Sequence, residues 1–478
     1  MSDAPANPTP RGRLDPVLLV LAGAATVTWL WVCWCLFPIS VWNDLRLAPS
    51  LALLRGVSFY PPQDTGAVTT WMYGPLPTLL WAPAVLASTA KTAVLAAGTL
   101  NLAFNLIAIG ATAALWPSRL TRAQRLAAGL LATVIWPFAS FQYLQADNVA
   151  IALGLLANLV LVRATQPWHR WLAALLAVAP IFCKQTSVGI AAAQFAWLVA
   201  AQGWPAAWRH LLRGLVAGLA LAIVTVAPLD WHGVWFNMVT VPGHLPWAPN
   251  PVGRAVDMTP ELLVQIGIPV ALMVVAWRRI FSRDSRLLLP ALVWICTLPP
   301  NVAAFFKFGG TLNSLQGFSL WLPAALLWVG DTALSRPAFA RQLVALGAVA
   351  TVVIAGFRFQ RLTAFPTAPA TRHYDQAAQL AKEFPGQIWF PWNPLITAYS
   401  EGKFYHAEDG LYMRFLADRA LTPAHTFAGL PPKLQVIALP RGGTHWGVAL
   451  ALRPANAQTQ DFAFWTLHSW PEPLTAPK

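Results

Sequence analysis

Long apolar segments follow one another along most of the chain. They recur roughly every 25 to 45 residues, and consist mainly of Leu, Ala and Val with Trp at their ends, as in membrane-spanning helices bordered by an aromatic belt. The residue alternation of a β-barrel is not seen. The pattern predicts about eleven spanning helices, at residues 17–37, 92–115, 126–143, 148–163, 171–186, 187–202, 211–229, 261–277, 287–300, 315–332 and 340–357.

One further apolar segment, residues 73–87, is interrupted by prolines and is too short to span the membrane. If it crossed, the arginines at 119, 122 and 125 would lie on the opposite side from the other basic clusters. We therefore predict a re-entrant or interfacial helix within a long first outer loop, residues 38–91.

Composition agrees with a polytopic membrane protein, because hydrophobic residues make up 57% of the chain and charged residues only 10%. The net charge of +14 is explained by membrane topology. Six arginine clusters lie between or at the ends of the predicted spans, or before the first one, and the positive-inside rule places such clusters in the cytoplasm. The N-terminus is therefore predicted to be cytoplasmic, and no nucleic-acid partner is needed to explain the charge. The clusters are Arg11 and Arg13; Arg119, Arg122 and Arg125; Arg163 and Arg170; Arg209 and Arg213; Arg278, Arg279, Arg283 and Arg286; and Arg336 and Arg341.

An odd number of spans places the last part of the chain outside the membrane. There, HYDQAAQLAKEF predicts an amphipathic helix, and QIWF, LQVIAL and FAFWTLH predict short strands. We predict three parts: a cytoplasmic tail (1–16), an all-α transmembrane domain (17–357) and a small extracytoplasmic α/β domain (358–478). The aromatic and polar loop 391–410 would cover the site, hold an acceptor glycan, or act only as a structural cap.

Candidate chemistry lies in the predicted outer loops. Asp44 follows the first span, where a lipid headgroup and a water-borne acceptor can meet, while Asp147, Lys184 and Lys307 adjoin apolar helices. Ionisable groups at membrane depth usually have a partner or a function. We predict Asp44 and Asp147 as catalytic carboxylates, with Asp44 as general base, and lysines as phosphate-binding charges. The candidate substrate-binding residues are Arg46, Tyr60, Tyr73, Lys184, Gln185, His244, Lys307 and Asn313.

Each candidate also has a plain structural alternative. Asp44 and Asp147 could cap helices, and Lys184 and Lys307 could extend along the membrane to the interface. His232 and His244 could bind a metal, but isolated histidines in an aromatic loop are more often surface residues.

The segment ND followed by RLAPSLALLRGVSFYPP and MYGPLPTLLW, with Asp147 as a second outer acid, resembles the GT-C glycosyltransferases. These include relatives of the protein O-mannosyltransferases and the aminoarabinose transferases. The resemblance implies a polyprenyl-phosphate-linked sugar donor, inverting transfer on the outer membrane face, and an acid of the first outer loop as base. Because Asn43 and Asp44 stand where paired acids are frequent, we predict no metal site and no cofactor, with a divalent cation left open.

The expected function is transfer of a sugar to a glycan, lipid or protein acceptor, in cell-envelope glycan synthesis at a bacterial inner membrane. Its alternatives are a transporter or flippase of lipid-linked sugars and an O-antigen polymerase or ligase. The transporter predicts charges buried in the middle of spans and two internally repeated halves, whereas the sequence shows no similarity between halves and no acid in the interior of a predicted span. The polymerase or ligase predicts a late outer loop with arginines, and loop 230–260 has Arg254.

Overall fold

The computed structural model describes residues 14–115, 121–281, 288–310, 314, 337–360, 362, 364–443 and 445–474. Residues 1–13 of the predicted cytoplasmic tail, the predicted span 315–332 and the candidate Asn313 lie outside the described residues.

Long apolar helices dominate the first three-quarters of the chain, as predicted, and the protein is a multi-pass membrane protein. Among the described residues, four helices are long and apolar enough to cross a bilayer: Pro16–Ile39, Ala90–Leu115, Trp204–Thr225 and Leu288–Phe306. Further helices occupy Ala146–Val162, Pro167–Val178, Val188–Gln202 and Pro337–Phe359. The number of eleven spans and their orientation stay predictions.

Prolines divide several predicted spans into shorter pieces. The predicted helix 126–143 is wrong as one element, because it forms Arg122–Ile135 and Phe138–Gln142. Between them, Trp136 is extended, with ψ at 143°, since a following proline disfavours the helical conformation. The predicted helix 171–186 ends at Val178 and continues as a 3-10 turn, Ala179–Phe182. The predicted helix 261–277 comprises Thr259–Leu262, a π-helical turn Leu263–Gly267, and Ile268–Ile280.

The first outer loop contains two helices. Leu76–Val85, ten residues long, occupies the segment predicted to be re-entrant or interfacial. Val41–Leu54 was not predicted, because Pro49 lies inside it and proline in a helix interior is unfavourable. After the long helix Trp204–Thr225, a second group of short helices comprises Trp231–Trp235, the π-helical turn Phe236–Thr240, Val241–His244 and Pro251–Asp257.

The C-terminal part is an α/β unit. Its strands are β1 (Ile388–Trp389), β2 (Val436–Pro440), β3 (Gln458–Phe462) and β4 (Trp465–Ser469), in the order β1-β2-β4-β3. The β1–β2 pair is parallel and the others are antiparallel. The predicted strands are present, whereas β3 was missed because QTQDF is polar and exposed. The helices are Arg372–Glu383, as predicted, with Pro394–Glu401, Glu408–Leu416, Pro423–Ala428 and Val448–Ala451.

The α/β unit shares a hydrophobic core with the first outer loop. Tyr374, Leu395 and Trp465 of the unit belong to the same buried cluster as Leu47 and Trp81 of the loop. Since this core needs side chains from both ends of the sequence, the α/β unit and the loop hold each other in place.

Candidate functional site

A close backbone contact brings the first outer loop to Lys184. The N–H of Gly74 donates to the carbonyl oxygen of Cys183 at 3.0 Å. A Cβ atom at position 74 would lie 2.0 Å from the carbonyl oxygen of Phe182, so only glycine permits this approach. As a result the ammonium of Lys184 lies 5.8 Å from the ring centroid of Tyr73.

Lys184 and Asp147 form a buried ion pair. Lys184 Nζ lies 2.8 Å from Asp147 Oδ1, and the two side chains are only 9% and 10% exposed. Asp147 is in the first turn of helix Ala146–Val162, where the helix dipole favours a negative charge. Lys184 therefore does not extend to the interface, and Asp147 does not occupy the N-cap position, which belongs to Gln145.

Helix Val41–Leu54 fixes the chain just before Asp147. Asn43 Nδ2 donates to the carbonyl of Gln142 at 3.0 Å, and Asn43 Oδ1 accepts the N–H of Leu144 at 2.6 Å. Arg46 Nη1 donates to the carbonyl of Leu144 at 3.0 Å. These bonds make Asn43 and Arg46 the connection between the first outer loop and the ion pair.

Asp44 has a different set of contacts. Its side chain is 0% exposed, and its Oδ1 accepts the N–H of Leu395 at 2.9 Å. Leu395 is the second residue of helix Pro394–Glu401, so Asp44 caps a helix 351 residues away. Burial raises the pKa of Asp44 to about 7, while the N–H of Leu395 and the amide of Asn393 oppose that rise.

Those contacts give Asp44 a structural role that the sequence did not predict. The capping alternative is realised, but for a distant helix rather than for its own. Its predicted action as a general base stays a prediction, and the enclosed carboxylate presents no surface to an acceptor hydroxyl.

Two more predicted residues, Gln185 and Tyr60, bond to the segment 72–73 of the first outer loop, where Tyr73 contacts Lys184. Gln185 Nε2 donates to the carbonyls of Met72 at 3.3 Å and Met238 at 3.1 Å, so it joins the first outer loop to the turn 236–240. Tyr60 is buried, and its hydroxyl donates to the carbonyl of Tyr73. We call Arg46, Tyr73, Asp147, Lys184 and Gln185 the charged centre.

Lys307 and His244 lie together beyond that turn. Lys307 Nζ donates to the carbonyls of Pro242 at 2.8 Å and Gly243 at 3.2 Å, and lies 5.8 Å from the ring centroid of Trp247. His244 is exposed, with Nδ1 2.7 Å from the carbonyl oxygen of Thr240. Both residues connect to the charged centre through the segment 238–243.

An apolar groove of about 870 Å³ includes Trp247, which Lys307 contacts, among its wall residues. Its walls come from residues between 247 and 267 and from 302–306, including Trp247, Val256, Leu263 and Phe306. Arg254 also lies near it, with its guanidinium 5.0 Å from the ring centroid of Phe305, another wall residue. Sequence reasoning missed the groove because its walls come from a predicted outer loop, from the predicted span 261–277 and from residues just after the span 287–300, and nothing in the sequence indicates that these segments meet.

Two buried acids of the C-terminal unit were also missed. Glu408 and Asp409 are 0% and 1% exposed, and burial raises the pKa of Asp409 to about 6, against the opposing charge of Arg46. Their position in the polar loop 391–410 made them look like solvent-exposed residues. Within the described parts of the chain, no three His, Cys, Asp or Glu side chains gather as metal ligands would.

Comparison of the sequence with protein-family models and with curated proteins gives no match. The structure is similar to ArnT from Cupriavidus metallidurans bound to undecaprenyl phosphate, with a TM-score of 0.60 and 12% identity, over 97% of this chain and 100% of that one. The apo state of the same ArnT gives a TM-score of 0.57 and 12% identity, over 96% and 98%. ArnT is a GT-C glycosyltransferase, and the chain has the GT-C fold.

Proposed function

We propose that this GT-C-fold protein is a membrane glycosyltransferase that takes its sugar from a polyprenyl-phosphate carrier. The observation that carries the proposal is the apolar groove whose wall residue Trp247 has its ring centroid 5.8 Å from the ammonium of Lys307, since one molecule with an apolar tail and a phosphate head fits both features. The fold agrees, because ArnT of the same fold was crystallised with undecaprenyl phosphate.

The groove binds the apolar tail of the donor, and the cationic residues bind its phosphate. An isoprenoid tail buried along Val256, Leu263 and Phe306 gains about 25 cal/mol for each Å² of apolar surface removed from water. The phosphate then lies between Lys307 and Lys184, with Arg46 on the sugar side. A lysine ammonium binds phosphate as a compact point charge.

The charged centre supplies the groups for the transfer. An acceptor oxygen bonds to the anomeric carbon as the bond from that carbon to the phosphate oxygen breaks. Asp147 takes the proton of the acceptor hydroxyl, and Lys184 stabilises the negative charge that develops on the departing phosphate. Asp44 does not contact the substrate in this proposal; it positions helix Pro394–Glu401 against helix Val41–Leu54.

The reaction takes place on the outer face of a bacterial inner membrane and inverts the configuration at the anomeric carbon. Its acceptor is a glycan, lipid or protein of the cell envelope. No metal and no cofactor enter the proposed steps.

Binding of undecaprenyl phosphate to the purified protein tests the proposal without knowledge of the sugar. We expect native mass spectrometry to show one bound carrier, and Lys307→Gln and Lys184→Gln to weaken binding about tenfold each. Lys91→Gln is the matched control, because Lys91 pairs with Asp375 at 2.8 Å on the surface, and it should bind as the wild type does. Equal retention of phosphatidylglycerol, or no effect of either test substitution, would contradict the proposal.

A further inference from the structure

Three aromatic rings of the C-terminal unit form a row. The ring centroids of Trp446 and Tyr412 are 5.0 Å apart with planes 16° from parallel, and those of Tyr412 and Phe415 are 6.5 Å apart with planes at 20°. Tyr412 and Phe415 are three residues apart on helix Glu408–Leu416, which places them on one face. Phe415 is 64% exposed, and the other two are half-buried. We call Trp446, Tyr412 and Phe415 the aromatic row.

Buried acids fix the orientation of the row. Trp446 Nε1 donates to Asp409 Oδ1 at 2.8 Å. The neighbouring Glu408 accepts the indole N–H of Trp392 and, at 3.1 Å, the N–H of Ala449. Burying a carboxylate costs desolvation free energy, and an apolar side chain could fill the same space without that cost. The arrangement thus holds the ring of Trp446 in one orientation.

The row lies between the two ends of the site. Phe308, the residue after Lys307, has its ring centroid 5.8 Å from that of Tyr412. At the other end, Trp392 is 6.1 Å from Trp446 and 5.2 Å from Trp42. The guanidinium of Arg46 lies 5.2 Å from the ring centroid of Trp42. The ring contacts therefore run from the residue beside Lys307 to the charged centre. Trp392 is fully buried, so it connects the row to Trp42 without adding to the surface that a ligand can contact.

We propose that the aromatic row is the binding platform for a pyranose-containing glycan that serves as the acceptor. This inference rests on the proposed glycosyl transfer, and it chooses a glycan among the three acceptor classes. A pyranose ring presents a face of C–H groups that packs on an aromatic ring, and its hydroxyls accept hydrogen bonds from a guanidinium such as Arg46. A lipid acyl chain would need no charged group at the end of the row.

Saturation-transfer NMR on the full-length protein in lipid nanodiscs free of glycoside detergents tests the platform. The probes are neutral trisaccharides of glucose, galactose, mannose and N-acetylglucosamine. We expect saturation of ring C–H protons in at least one of them with the wild type. The signal should fall at least fivefold in Tyr412→Ala/Phe415→Ala and in the milder Phe415→Ser, whose side chain is mostly exposed in the wild type. Phe462→Ala, a 40% exposed phenylalanine on β3, is the control and should keep the signal.

Undecaprenyl phosphate binding by the same samples separates the two proposals. If the carrier binds and no trisaccharide is saturated, or if the double variant keeps the full signal, the platform is wrong and the transferase proposal stands. If the wild type binds no carrier, the transferase proposal fails, whatever the trisaccharides do. Loss of both ligands in Phe415→Ser would indicate a folding defect and would also count against a local platform.

Discussion

At the scale of single residues, variants of the Asp147–Lys184 ion pair allow its contribution to stability to be measured apart from its role in the reaction. Breaking a buried pair from one side leaves an unpaired charge and destabilises by about 3 kcal/mol. We therefore expect Asp147→Asn and Lys184→Gln to lower the melting temperature, and the double variant to regain most of the loss because no charge is left unpaired. Thermal unfolding of the three variants in detergent measures this.

The same double variant should transfer no sugar, although it is stable. Its control is the exposed pair, where Lys91→Gln should change neither stability nor transfer, since surface pairs contribute little. A double variant that is as unstable as the single ones, or one that retains transfer, would contradict the roles given to the pair.

Asp44 allows a second prediction at this scale. An asparagine at 44 still offers an oxygen to the N–H of Leu395, so we expect Asp44→Asn to keep both fold and transfer, and Asp44→Ala to be about 1 kcal/mol less stable than Asp44→Asn because it lacks the cap. Turnover and melting temperature of the two variants are the measurements. Loss of turnover in Asp44→Asn at an unchanged melting temperature would instead support its prediction as general base.

The sequence indicated that Asp44, Asp147 and Lys184 are unusual, but it did not indicate which residues they contact. Lys184 and Asp147 stood out because ionisable residues beside apolar helices are rare, but nothing local tells that residues 37 apart in sequence form a pair. The partner of Asp44 is 351 residues away, and so the sequence pattern could not distinguish a cap from a base.

At the scale of elements, the contact between helices Val41–Leu54 and Pro394–Glu401 should depend on pH. The pKa of Asp44 is about 7 when folded, against an ordinary value of 3.8. Between about pH 4 and pH 7 the Asp44 carboxyl therefore keeps its proton in the folded state but loses it in the unfolded state, and the contribution of Asp44 to stability falls as pH rises through this window.

Asp44→Asn removes this titration. We expect its melting temperature to equal that of the wild type near about pH 4 and to exceed it above about pH 7. The difference between the two proteins isolates Asp44, because Asp409 and the histidines titrate in both. A constant difference across the range would show that the buried carboxylate does not hold the raised pKa.

Elements were predictable where their pattern was long and uniform. Ala90–Leu115 and Ala146–Val162 match the predicted spans closely. The helix Val41–Leu54 and the break at Trp136 show where the pattern fails, because Pro49 lies inside one helix and Pro137 follows the end of the other.

At the scale of the whole molecule, the shared core makes the C-terminal unit necessary for the first outer loop. A chain that ends at residue 371 would expose Leu47 and Trp81, which now pack against Tyr374, Leu395 and Trp465. We expect the truncated protein to aggregate and its loop 38–91 to be cleaved rapidly in limited proteolysis. A monodisperse truncated protein with a protected loop would show that the unit is an independent attachment.

The general architecture follows from the sequence, because repeated apolar segments require spanning helices and the first outer loop resembles GT-C proteins. The groove and the aromatic row do not follow from it. Phe308, Tyr412 and Trp446 come from distant segments, and only the fold places Phe308 5.8 Å from Tyr412 and 6.3 Å from Trp446.

The most direct test of the account is sugar transfer by the purified protein. Undecaprenyl phosphate carrying a series of radiolabelled sugars would be offered together with envelope glycans from the source organism, and label leaving the lipid would be counted. The account predicts that label from one donor moves to glycan with release of undecaprenyl phosphate, and that the stable Asp147→Asn/Lys184→Gln variant moves none. Label that stays on the lipid with every donor, or equal transfer by that variant, would contradict it.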